Sequence, residues 1–159
     1  YGLENLRYWS NLRGEPDYLP GHMGENLTIE GLSDHDVSIG DRFQIGSAIL
    51  EVTQPRVPCF KLGIRMQKPQ FVGEFLTSGR TGFYLRVIQE GRIETGDVVT
   101  QIHEASLRVS IPNAMKALVQ GPEQAFWIAQ ALKTTALSAA WREDLEARAR
   151  HLDIEGTPT

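Results

Sequence analysis

The 159-residue chain predicts a mainly β fold, a sandwich or barrel of short strands, followed by a small three-helix domain. Three observations predict it. From Asn26 to about His103, short apolar runs alternate with glycine turns, which is the spacing of an antiparallel β domain. Two Gly-Asp pairs, Gly40-Asp41 and Gly96-Asp97, each stand before such a run; glycine supplies positive φ and aspartate bonds the backbone two residues on. After Arg108 the apolar residues fall at helical spacing instead.

The elements follow in order. Residues 1 to 25 read as irregular apart from a helix around Leu3 to Leu12, with Leu6 and Trp9 on one side. Arg42 to Thr53 carries β-branched and apolar residues around Gly46-Ser47 and reads as a hairpin. Phe83 to Ile88 and Val98 to Ile102 make two further strands. Ser110-Ile111-Pro112 is a helix start, with a capping hydroxyl and an early proline, and Gly121 ends that helix. Pro122-Glu123-Gln124 opens a second helix, and a third begins near Ser138 with Leu137, Trp141, Leu145 and Ala149 on one side. Helices this short bury little alone and must pack together or against the strands, a task that also accounts for Trp127 and Trp141. The expected division is 1–107 and 108–152, and the tail after Asp153 is expected to fray.

Composition narrows the function. A hydrophobic fraction of 41%, a charged fraction of 23% and no apolar run near the roughly 20 residues of a membrane span predict a soluble protein. A net charge of −4 offers no general attraction to nucleic acid or to an anionic membrane, so neither is an expected partner. The single cysteine closes no intrachain disulfide, and the opening YGLENLRYW has neither signal-peptide character nor an initiating methionine. A cytoplasmic protein whose beginning lies upstream of Tyr1 is expected.

Cys59 is the strongest chemical candidate. Pro55 and Pro58 fix two φ angles and remove two donors, so QPRVPCF leaves the sheet as a rigid bend that holds the sulfur in place. Arg56 and Lys61 favour the thiolate, the form that binds soft metals or attacks electrophiles. A lone cysteine also serves as a small buried hydrophobe, and the local sequence leaves both roles open. His22, His35, His103 and His151 show no i, i+4 pairing, so any metal at Cys59 takes its other ligands from a cofactor. Ser78-Gly79-Arg80-Thr81-Gly82 has the composition of an anion cradle or of an ordinary hairpin turn. Asn26 and Thr28 flank Leu27, so on a strand both face one side, either lining a site or meeting solvent.

Five segments, GENLTIEGL at 24–32, IGDRFQIG at 39–46, VTQPRVPCFKL at 52–62, SGRTGFYLRV at 78–87 and GRIETGD at 91–97, resemble in this order the MOSC domain. SIPNAMKALV and LSAAWREDLEARA are similar to the three-helix domain appended in the bacterial YiiM-type subfamily. The resemblance covers nearly all of residues 1–152. It implies a β-barrel that binds a pterin-based molybdenum cofactor (molybdopterin), with Cys59 as catalytic residue and protein ligand to the metal. It implies reduction of N-hydroxylated compounds, such as hydroxylamino base analogues, with electrons from a partner reductase. The positions carried over as cofactor or pocket contacts are Asn26, Arg56, Arg80 and Tyr84, with Thr28 and Thr81 as further additions. The alternative is a non-redox module in which Cys59 carries a persulfide. Family members begin with further strands before the region that resembles YGLENLRYW, so the resemblance implies a fragment with some cofactor contacts upstream. The apolar sides of the three helices are open to a homodimer or to docking of the electron donor, and the sequence does not decide between packing onto the barrel and packing onto another chain.

Overall fold

A computed structural model describes residues 1–153; the predicted fraying of the tail lies outside them. Its elements are α1 (Leu3–Arg13), β1 (Arg42–Ile45), β2 (Ala48–Pro55), α2 (Phe60–Arg65), α3 (Phe71–Thr77), β3 (Phe83–Gln89), β4 (Val99–His103), α4 (Ile111–Lys116), α5 (Gln124–Leu132) and α6 (Ala139–His151). The four strands form one antiparallel sheet in the order β3-β2-β1-β4.

The β1–β2 hairpin arises as its sequence dictates. Ile45 pairs with Ala48 across the two-residue turn Gly46-Ser47, and Phe43 pairs with Leu50. That register puts Phe43, Ile45, Leu50 and Val52 on one face, where they pack against Val37, Ile29 and Ile111 with Leu27, Leu32, Leu85 and Val99 around them. The loop after β3 returns over the hairpin turn, with Arg92 N–H donating to Ser47 Oγ at 2.8 Å and Ser47 N–H to the Arg92 carbonyl at 3.1 Å. Gly91 permits this approach: a Cβ there would lie 2.3 Å from the Ser47 carbonyl carbon.

Two expectations are corrected. The sheet is not closed into a barrel among the described residues, since β3 and β4 pair on one side only. Nor is the fold mainly β, because helical residues outnumber strand residues. Both corrections trace in part to residues 60–77, which connect β2 to β3 through α2 and α3 rather than through strands. Helices of 6 and 7 residues span fewer than two turns and are interrupted by Gly63 and Gly73, so no 3.6-residue period could be read from them.

Helix α1 lays Leu6 and Trp9 on this α2–α3 pair, in a cluster with Tyr18, Met23, Leu62, Met66, Phe71 and Phe75. Trp9 meets Phe71 edge-on at 4.8 Å and stacks on Phe75 at 5.9 Å. Rings of this size stabilise a core by roughly 1.5–3 kcal/mol each.

Helices α4 to α6 enclose a second core of Ala114, Ala117, Ile128, Ala131, Trp141, Leu145 and Ala149, joined by Ile39 and Val109. Ser138 caps α6, accepting from Trp141 N–H at 3.2 Å, and its hydroxyl also bonds Gln54 of β2. Opposite the apolar face, Glu51 of β2 sits between Arg42 of β1 at 2.8 Å and Arg86 of β3. Burial alone would raise the Glu51 carboxyl, but Arg86 and Arg42 together outweigh burial and hold it below its ordinary value. No helix of the described residues is long and apolar enough to cross a membrane.

Candidate functional site

Arg56 lies just beyond β2, where Pro55 pairs with Phe83 and the Arg56 N–H donates to the Gly82 carbonyl at 2.9 Å. Its guanidinium turns back into the fold. Nη2 donates to the Met23 carbonyl, and the group lies 5.7 Å from the Phe75 ring centroid. Nη1 is buried and has no hydrogen-bond partner among the described residues. An orphaned buried guanidinium nitrogen is costly, and unlike Trp127 Nε1, the other such atom, that of Arg56 belongs to a residue lining this cavity's wall, which marks a ligand position.

Arg56 lines a cavity of about 200 Å³, walled also by Tyr1, Glu25, Asn26, Ile29, Gly82, Tyr84 and Leu85. Two loops shape it. Glu25 organises the first, accepting from Gly21 N–H at 2.8 Å, Met23 N–H at 3.0 Å and the Thr28 hydroxyl at 3.0 Å. Gly82 closes the second: its φ is +72° and a Cβ would lie 2.5 Å from the Tyr1 ring, so both conformation and space require glycine.

A buried polar relay supports the Gly82 loop. Asp34, 2% exposed, accepts from Gly82 N–H at 2.7 Å and from the Asn5 amide at 3.0 Å. Asn5 in turn accepts from Arg80 Nη1 at 3.0 Å. Burial pushes the Asp34 carboxyl upward, and the Gly82 N–H and Asn5 amide offset part of that.

The seven residues predicted from sequence separate into groups. Asn26, Arg56 and Tyr84 line the cavity together. Asn26 and Thr28 line an adjoining cavity of about 620 Å³, with Ile45, Ile93, Glu94 and Asp97. They do so from an irregular segment rather than the strand expected; it is joined to the start of the chain by an isolated bridge from Ile29 to Gly2 and by the Leu27 carbonyl, which accepts from the Tyr1 amine at 2.8 Å. Arg80 is turned toward Asn5 and stacks over Tyr8 at 4.3 Å, outside the lining. Thr81 is fully buried, its hydroxyl spent on the Gly82 carbonyl at 3.2 Å.

Cys59 is exposed and caps the start of α2 with extended backbone, outside the lining of either cavity. The stretch Ser78–Gly82 is the exit from α3 into β3, not a hairpin turn. Sequence reasoning passed over Glu25, Asp34 and Asn5. The adjacency of Glu25 to Gly24 at a turn was a usable signal, whereas nothing local marks a relay between residues 5, 34 and 82.

These residues suit an anionic, phosphate-bearing cofactor with a soft metal. Arg56 presents an unpaired donor, and Cys59 is an accessible sulfur three residues away on a proline-stiffened bend. No group of three or more His, Cys, Asp or Glu among the described residues is arranged to hold a metal. The smaller cavity lies below the roughly 300–1,000 Å³ of complete ligand pockets and takes only part of a pterin-sized group.

Comparison with known proteins reveals three informative likenesses. The chain is 31% identical over 156 residues to the uncharacterized protein YflK of Bacillus subtilis, covering 98% of this chain and 70% of that protein. The crystal structure of YiiM from Geobacillus stearothermophilus is 36% identical with a TM-score of 0.87, over 93% of this chain and 75% of the other. A protein named "Reductase" from Gibberella moniliformis is 37% identical over 106 residues, which are 65% of this chain and only 19% of that protein. Residues 1–100 match the family model of the MOSC domain, so the chain belongs to the MOSC domain family.

Proposed function

We propose that the protein is a molybdenum-cofactor-dependent oxidoreductase that reduces N-hydroxylated compounds with electrons from a partner reductase. In this reading residues 1–107 hold the cofactor and residues 108–152 form a helical unit beside them. The observation that carries the reading is the buried Nη1 of Arg56, without a hydrogen-bond partner among the described residues, at a cavity that Asn26 and Tyr84 also line. Family membership and the likeness to a reductase-named protein support it.

When bound, the cofactor supplies a two-electron couple at molybdenum. The overall conversion takes R–NHOH, two electrons and two protons to R–NH₂ and water. The chain contributes position and charge. Cys59 provides a thiolate ligand on a backbone stiffened by Pro55 and Pro58. Arg56 would offset the charge of the cofactor phosphate and Asn26 and Tyr84 would hold the group in the cavity they line, while Asp34 acts through Gly82 and Asn5 to hold the loop that closes it.

Exposure of Cys59 outside the cavity lining favours a second reading. There its thiolate attacks the outer sulfur of a donor persulfide, the donor leaves as a thiol, and Cys59 carries the persulfide.

One experiment separates the two. Protein from a molybdenum-replete host is assayed for molybdenum, pterin and reduction of a hydroxylamino base analogue by reduced viologen. The reductase reading expects metal, pterin and turnover, with Cys59→Ala abolishing turnover. Full turnover in Cys59→Ala removes the sulfur from the mechanism. A one-sulfur mass gain on Cys59 in protein without molybdenum supports the carrier instead.

A further inference from the structure

The Arg56 guanidinium is aimed by a chain of contacts that begins at Glu25. Among the described residues, the Met23 carbonyl is the one hydrogen-bond acceptor of that side chain, and it takes Nη2. The direction of the free Nη1 therefore depends on how this carbonyl is held, with the Phe75 ring at 5.7 Å as the other support.

Met23 is fixed on two further sides. Its side chain is 2% exposed, in the cluster with Trp9, Phe71 and Phe75. Its N–H donates to Glu25 Oε2 at 3.0 Å. The other carboxylate oxygen, Oε1, accepts from Gly21 N–H at 2.8 Å and from the Thr28 hydroxyl at 3.0 Å. Gly21 and Gly24, with φ of +86° and +80°, let the chain curl around the carboxylate. One side chain thus closes the loop 21–28 and holds the residue from which the Arg56 guanidinium hangs.

The position calls for a carboxylate. Three donors converge on two oxygens, and an ionised glutamate only accepts. In a glutamine the single oxygen serves one side of the loop and the NH₂ meets a donor on the other. Yet Glu25 lines the same cavity as Arg56, where its charge works against an anion. A negative group kept at an anion site, with both oxygens already bonded to the loop, serves alignment and not attraction.

We infer that Glu25 is a positioning residue of this site, which through Met23 aims Nη1 of Arg56 at the phosphate of the cofactor. The inference rests on the reading of Arg56 as a phosphate-binding residue and adds the group that aligns it.

The test compares wild type, Glu25→Gln, Glu25→Asp and Arg56→Met, with inorganic phosphate as the probe. Nitrogen-resolved NMR reads the Arg56 side chain, whose signals are those missing from Arg56→Met. Wild type without phosphate should show separate Nη–H signals, because the bond to Met23 hinders rotation of the group. In Glu25→Gln these should merge toward those of a free arginine, and phosphate affinity should fall about tenfold. The sign is decisive: removing a nearby negative charge by itself tightens phosphate binding, so weaker binding requires misalignment. Glu25→Asp keeps the charge on a side chain too short to reach all three donors, and should weaken phosphate binding as well.

Unchanged Arg56 signals in Glu25→Gln overturn the inference, as does tighter phosphate binding by that variant. If Glu25→Gln does not fold, wild-type phosphate affinity in Glu25→Asp overturns it instead. Arg56 signals that stay still when phosphate is added to wild type defeat the phosphate reading of Arg56 alone, because alignment is read without any ligand.

Discussion

Arginines paired with buried carboxylates and the arginine at the cavity teach different lessons. Arg42 and Arg86 share the buried carboxylate of Glu51, while Arg108 meets the buried carboxylate of Asp41 at 2.6 Å. In these clusters each guanidinium has a buried carboxylate partner, and they hold the sheet to the segments beside it. Arg56 has a carbonyl, a ring and an unused buried nitrogen, but no carboxylate partner among the described residues. An arginine paired with a buried carboxylate is scaffold; one with a spare buried donor is arranged for something that arrives later.

Substitutions test that contrast. The largest effect is expected at Asp41, whose fully buried side chain accepts from Ser38 N–H at 2.8 Å, Ala105 N–H at 2.9 Å and Arg108. Asp41→Ala strands the Ser38 and Ala105 N–H groups, leaves Arg108 with only the Asp36 carbonyl and Glu104, and should cost about 3 kcal/mol in denaturant unfolding. A cost near zero would mean that the cluster is not scaffold.

Glu51→Gln should cost less, about 1–2 kcal/mol, because its two arginines are 43% and 46% exposed and partly screened. Its pH dependence has a definite sign. The folded carboxyl lies below its ordinary 4.5, so its stabilisation is present above that pH and is lost as pH falls through the folded value. Wild type should show this acid-side loss and Glu51→Gln should lack that component, as read from unfolding midpoints across an acid pH series.

Arg56→Met should change stability least, by under about 1 kcal/mol, since a lost carbonyl bond and ring contact are offset by relief of an orphaned donor. It should abolish any rise in Tm that inorganic phosphate produces in wild type. A destabilisation as large as that of Asp41→Ala would class Arg56 with the scaffold.

Local chemistry made several features readable beforehand. Gly46-Ser47 announced the hairpin, Ser110-Ile111-Pro112 the start of α4, though the Ser110 hydroxyl makes no capping bond, and the period of Leu6 and Trp9 the buried side of α1. Proline on both sides of Arg56-Val57 marked the bend that carries Cys59. The cavity was readable only in pieces. Asn26, Arg56 and Tyr84 were named singly, but Arg80 and Thr81 proved to be structural neighbours of the loop rather than part of its lining. An Asp or Asn in a loop carries no local sign of a partner dozens of residues away, which is why the Asp34–Asn5 relay went unseen.

Turn chemistry, capping and side-chain period act over a few residues, so the sequence by itself determined the hairpin, the last three helices and the stiff segment holding the lone thiol. Tertiary structure alone decided that the sheet stays open in the described residues, that residues 60–77 pack as two short helices, and which arginine has a spare donor. Those outcomes depend on which distant groups meet and satisfy one another. Hydrogen-bond partnership and burial are properties of the assembled fold, and no window of sequence contains them.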